Sequence, residues 1–128
     1  MEYINTLKDS VETSVALKIF PSKESASRAH IFNTTFTVLV LNESLWNHLE
    51  NFNPARLSNT PYKNKPRGEK NMNSVNYHKE QIQKYGYTSP IWVAKKGDIY
   101  TLLDGAHRLV ATYLAKKLKI PAFIVNLS

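Results

Sequence analysis

The chain has 128 residues, 42% of them hydrophobic, which is enough for the core of one ordinary domain and too much for global disorder. It contains no cysteine, excluding disulfides and thiolate metal sites, and no run of about 20 apolar residues that would form a membrane-spanning helix. Seventeen basic against ten acidic residues give a net charge of +7, which favours polyanionic partners: nucleic acid, nucleotides or acidic surfaces.

The opening residues, Met1 to Asn5, lack the basic-then-apolar layout of a secretory signal, so a cytoplasmic location is expected. The abundance of Asn and Lys suggests an AT-rich genome of the phage or viral kind. Ile4, Leu7, Val11 and Val15 form a helical stripe that ends before Pro21, with a strand over Val15 to Phe20 as the alternative. Residues 21 to 30 are polar and read as a loop or short helix, in which Lys23, Arg28 and His30 are solvated or, as the alternative, contact an anion. Thr34 to Leu41, rich in β-branched residues, predicts a strand. Asn42 then reads as the N-cap of a helix through Leu45, Trp46 and Leu49 that ends at Phe52 and Pro54.

Leu57 to Asn73 is the least regular stretch, with two prolines, one glycine and the basic residues Lys63, Lys65, Arg67 and Lys70. It reads as a loop, either simply solvated or clasping nucleic-acid phosphates with Tyr62 available to stack on a base. Ser74 to Tyr85 predicts a helix stopped by Gly86, with Val75, Ile82 and Tyr85, and Tyr77 or His78, on its packed side. Pro90 to Ala94 and Ile99 to Leu103 predict two strands joined by a hairpin turn through Gly97, and Ala122 to Val125 predicts a last strand.

Between the last two strands lies the most informative stretch. Tyr100 to Leu103 is short and β-prone, Asp104 and Gly105 break it, and from Ala106 the apolar spacing turns helical through Leu109, Val110, Tyr113, Leu114 and Leu118. His107 and Arg108 therefore fall in the first turn of a helix. A helix start presents unpaired N–H groups and a partial positive charge. Arg108 adds a planar fork of donors suited to phosphate oxygens, and His107 can donate a hydrogen bond or move a proton near neutral pH. Gly105, Ala106, His107 and Arg108 together are a candidate phosphate site; the alternative is a plain turn with a solvated His-Arg pair.

The flanks sharpen this. Tyr85-Gly86-Tyr87, Pro90-Ile91-Trp92-Val93, the Gly105-x-His107-Arg108 element and Ile120-Pro121 follow one another in an order that resembles the ParB/sulfiredoxin-like superfamily, over about residues 69 to 126. The resemblance implies a single α/β domain: a small mixed β-sheet flanked by helices, a phosphate pocket at a helix N-terminus, and residues 1 to 60 as an N-terminal extension. It implies three possible activities. Sulfiredoxin-type reduction needs a cysteine where this chain has Ala106, and an alanine offers no nucleophile. Partition-type DNA clamps usually carry an arginine where His107 stands, with a longer DNA-reading domain downstream.

The remaining branch, stand-alone ParB-like nucleases or NTPases and free-amino-acid kinases, has an aspartate before the glycine, as Asp104 is here. On that reading Asp104 holds Mg²⁺ beside a bound ATP or other nucleotide, and His107 assists charge or proton transfer. Kinases of this branch also use an early glutamate as base. Glu69 is its counterpart by spacing to Pro90, and Glu43 is the other option. The structural alternatives are a helix-capping Asp104 and a loop charge at Glu69. The basic balance favours a Mg²⁺-dependent nuclease or DNA-associated NTPase, with a small-molecule kinase and a non-catalytic DNA- or protein-binding module as the rivals.

Overall fold

A computed structural model describes residues 2–42, 45, 48–49, 68–86 and 89–127, with side chains from Leu7 onward except in the first two turns of the long central helix. The chain opens with helices α1 (Glu2–Ala16) and α2 (Lys23–Phe32) and strand β1 (Thr34–Val40). Helix α3 (Gly68–Tyr85), strands β2 (Ile91–Lys96) and β3 (Ile99–Asp104), helix α4 (Ala106–Leu114) and strand β4 (Lys119–Leu127) follow. The expected α/β architecture, a mixed sheet between helices, is what forms.

The sheet runs in the order β1-β4-β2-β3. β1 and β4 are antiparallel, with Phe36 opposite Phe123; β2 and β4 are parallel, with Val93 opposite Ile124. β2 and β3 form an antiparallel hairpin through a tight turn in which Gly97 adopts φ +60, a left-handed conformation that glycine takes without steric cost. β2 is buried along Ile91 to Ala94 because it is central and covered on both faces.

Alternation along these strands divides the core in two. One face presents Ile91, Val93, Leu102, Ile120, Ala122 and Ile124 to Leu109 of α4. The other presents Trp92, Ala94, Leu103 and Val125 to the α1–α2 layer, with Ala29 in the cluster and Leu7, Ile19 and Phe20 packed around it. Trp92 is fully buried, stacked on Phe123 at 4.6 Å and 5.2 Å from the His30 ring. α3 lies outside the sheet and packs on α4 through Ile82 against Val110 and Ala111.

Several boundaries differ from the sequence reading. The polar stretch after Pro21 takes the helical of its two readings, capped by Ser22, whose hydroxyl accepts from the Ser25 N–H at 3.1 Å, but His30, expected in solvent, is buried because this helix packs on the sheet. α3 begins at Gly68, so the second part of the expected loop is helical; Glu69, Lys70 and Met72 are good helix formers. β4 extends from Lys119 to Leu127 because it pairs on both sides. The Asn42 side-chain oxygen accepts from the Leu45 N–H at 3.0 Å, the bond expected of an N-cap, and most of the helix expected after it lies outside the described residues. Trp46 lies outside the described residues. Tyr85, expected on the packed side of its helix, is exposed, with the Lys84 ammonium 5.4 Å from its ring centre.

Candidate functional site at the corner between β3 and α4

β3 ends at Asp104, the chain turns at Gly105, and α4 starts at Ala106. Gly105 is the N-cap residue at φ +108, ψ 27, and it brings no side chain to cap the first-turn N–H groups. A side chain is also sterically barred here. A Cβ on Gly105 would meet Ile91 Cγ2 at 2.6 Å and Arg108 Nη2 at 3.0 Å. The glycine therefore serves twice, for its left-handed backbone and for the close approach of β2. The first helical bond runs from the Leu109 N–H to the Gly105 carbonyl at 2.9 Å.

Arg108 lies inside this corner and is only 6% exposed. Its Nη1 donates to the Pro90 carbonyl at 2.7 Å, and its Nη2 donates to Asp104 Oδ2 in an ion pair that spans the glycine turn. One guanidinium thus joins the end of β3, the start of α4 and the residue leading into β2. The Thr112 hydroxyl bonds back to the Arg108 carbonyl at 2.7 Å, on the same buried run of α4. The Arg108 donors assigned to a ligand from sequence are thus engaged internally. The four-residue spacing of Asp104 and Arg108 gave no signal of this, because it brings side chains together within a helix, and Asp104 ends β3 ahead of the glycine turn. The part of Pro90 had no signal in sequence, because its carbonyl reaches Arg108 only through the packing of β2 against α4.

Burial pushes the Asp104 carboxyl up from its ordinary value, while the Arg108 charge and hydrogen bond pull it down and the Asp9 charge on α1 pushes it up. Asp9, which sequence reasoning passed over, is thus within electrostatic reach of the corner. Among the described residues no three His, Cys, Asp or Glu side chains gather as a metal cage. Asp104, with one oxygen held by Arg108 and, among the described residues, Asp9 as an acidic neighbour in electrostatic reach, offers magnesium a site only together with a bound phosphate.

His107 is half-buried on the first turn of α4, beside Ala106 and next to Arg108. Asp104, Gly105, Ala106, His107 and Arg108 are therefore one contiguous corner. Glu69 and Lys70 fall in the first turn of α3, and their side chains lie outside the described residues, as do Lys63, Lys65 and Arg67 altogether. The helix between Glu69 and Ile82, where α3 meets α4, is about 20 Å long.

The ParB N-terminal domain family model matches residues 42–128. The chain belongs to that family. The match starts well before residue 69 and takes in the whole corner, α3 and strands β2 to β4 of this ParB N-terminal domain. No curated protein matches the chain. Among solved structures, it is similar to sulfiredoxin from Arabidopsis thaliana at 18% identity and a TM-score of 0.49, over 73% of this chain and 86% of that one. No helix among the described residues is long and apolar enough to cross a membrane.

Proposed function

We propose that the β3–α4 corner binds a phosphate group of a nucleotide or nucleic acid. The observation that carries this is the uncapped helix start at Gly105, whose left-handed backbone leaves the first turn of α4 without a side-chain cap, with His107 in that turn. The N–H groups of that turn and the helix dipole favour an oxyanion, and His107 supplies a further donor. Arg108 supports the corner structurally: tied to Pro90 and Asp104, it fixes the angle between strand and helix, its charge balanced by the Asp104 carboxylate. Magnesium enters as a companion of the nucleotide's own phosphates rather than as a resident ion, and no step is assigned to it.

The net charge of +7 supports nucleic acid as the wider partner, and with it nuclease or DNA-associated NTPase chemistry ahead of a metabolite kinase. Calorimetric titration of the purified protein with CTP, ATP and a short DNA duplex tests the binding. His107→Ala is expected to weaken the ligand that binds by about tenfold, the loss of one charge-assisted hydrogen bond. Absence of binding by all three would end the proposal. Plasmid nicking and phosphate release in the same preparation separate nuclease from NTPase, and binding without turnover identifies a non-catalytic module.

A further inference from the structure

A cleft lies on the other face of the sheet, at the far end of β3. It encloses about 550 Å³ between the turn that follows α1 and the edge of the sheet. Leu17 and Ile19 line it from the turn, and Ile99 and Leu127 line it from the strands. Leu17 is 44% exposed and Ile99 40%, so two large apolar side chains are left partly bare at one place. Two cations, Lys18 and Lys96, share the lining, and no acidic residue among the described ones does. Lys18 is held there at φ +62, a left-handed conformation that glycine or asparagine adopts more readily. Its N–H bonds to the Val15 carbonyl at 2.9 Å, and the next N–H, of Ile19, to the Ser14 carbonyl at 2.9 Å, so the turn that carries the ammonium is fixed to α1.

The cleft is separate from the phosphate corner. Ile99 and Asp104 are the two ends of β3, about 17 Å apart along the strand, and α4 covers the opposite face. Its volume is in the range of small-molecule sites, and its chemistry is apolar contacts with a positive rim.

We propose that this cleft binds small organic anions with an apolar body, of the class of medium-chain carboxylates. The tail covers Leu17, Ile19, Ile99 and Leu127, and the carboxylate meets Lys18 and Lys96. This does not rest on phosphate binding at α4.

Methyl-resolved NMR of the full chain, titrated with decanoate, tests it. Saturable shifts are expected at the methyls of Leu17, Ile19, Ile99 and Leu127. Inorganic phosphate, which lacks the tail, should leave them in place, and decyltrimethylammonium, which reverses the charge, should bind more weakly. Lys18→Gly, which keeps the left-handed backbone available, and Lys96→Gln should each weaken decanoate by about threefold, the size of one exposed charge contact. Shifts that do not saturate, shifts confined to other residues, or equal binding of decyltrimethylammonium would each overturn the proposal. The comparison of the two decyl probes uses the unmodified protein, so it decides even where a variant folds poorly.

Discussion

Arg108 and His30 are the two residues whose burial says most about the chain. Arg108 is a buried cation with a carboxylate on one nitrogen and a carbonyl on another. Removing one side of such a pair strands the other. Arg108→Met should therefore destabilise the protein by about 3 kcal/mol, whereas Asp104→Asn, which retains an acceptor, should cost about 1 kcal/mol. Urea unfolding midpoints measure both; a neutral Arg108→Met would mean that the clip does not hold the corner.

His30 sits between α1 and the sheet. Its Nδ1–H donates to the Ala26 carbonyl at 2.7 Å, so Nε2 accepts from the Ser10 hydroxyl, also at 2.7 Å. Burial holds its pKa below the ordinary 6.5, against the opposing pull of the Ala26 carbonyl. The unfolded chain then takes up a proton that the folded one refuses. Stability is full above about 6.5 and falls as the pH drops from there towards the folded-state value, by at most about 1.4 kcal/mol per pH unit. Unfolding midpoints should fall between about pH 7.5 and about pH 5.5. That fall should be smaller in His30→Gln, and an unchanged slope would place the titration on another group.

At the scale of elements, the corner between β3 and α4 and the end of α3 both turn on a glycine with positive φ, in different surroundings. Gly86 has φ +88 with open space where a Cβ would stand, and Gly105 has φ +108 with Ile91 and Arg108 in the way. Gly86→Ala should cost only the left-handed backbone penalty, about 1 kcal/mol. Gly105→Ala adds a clash with a buried β2 side chain and should cost about 3 kcal/mol or more, with loss of phosphate binding. Thermal melts and the nucleotide titration would show this order; equal costs would mean that β2 yields easily. α4 also shows why a helical pattern read from sequence misplaces its buried face. Tyr113, Leu114 and Leu118 look like part of the apolar stripe but are exposed, while Arg108 to Thr112 is buried without a break. The sheet takes one side of this helix and α3 another, so two adjoining faces are covered.

For the whole molecule, the sheet is a wall with a core on each side. The α1–α2 layer closes one side over Trp92, Ala94, Leu103 and Val125. Deleting residues 1–32 would expose the fully buried Trp92 and open a large apolar face to water. Such a chain should lose its near-ultraviolet circular dichroism and shift its tryptophan emission to the red. A truncated protein with an unchanged spectrum would show that the second core is dispensable.

By itself the sequence determined the four strands, the hairpin turn at Gly97 and the contiguous Asp104–Arg108 corner, because those depend on local backbone preferences and on spacing along the chain, while the α/β class came from the resemblance to a known family. Only the tertiary structure decided that Arg108 faces inward to Pro90 and Asp104, that Ser10 and His30 pair across two helices, and that the first helices complete a second core. Those contacts join residues far apart in the chain, or choose between two partners of equal local merit, and burial makes that choice. A guanidinium that can hold either a ligand or a neighbouring carboxylate takes the partner that the fold keeps out of water.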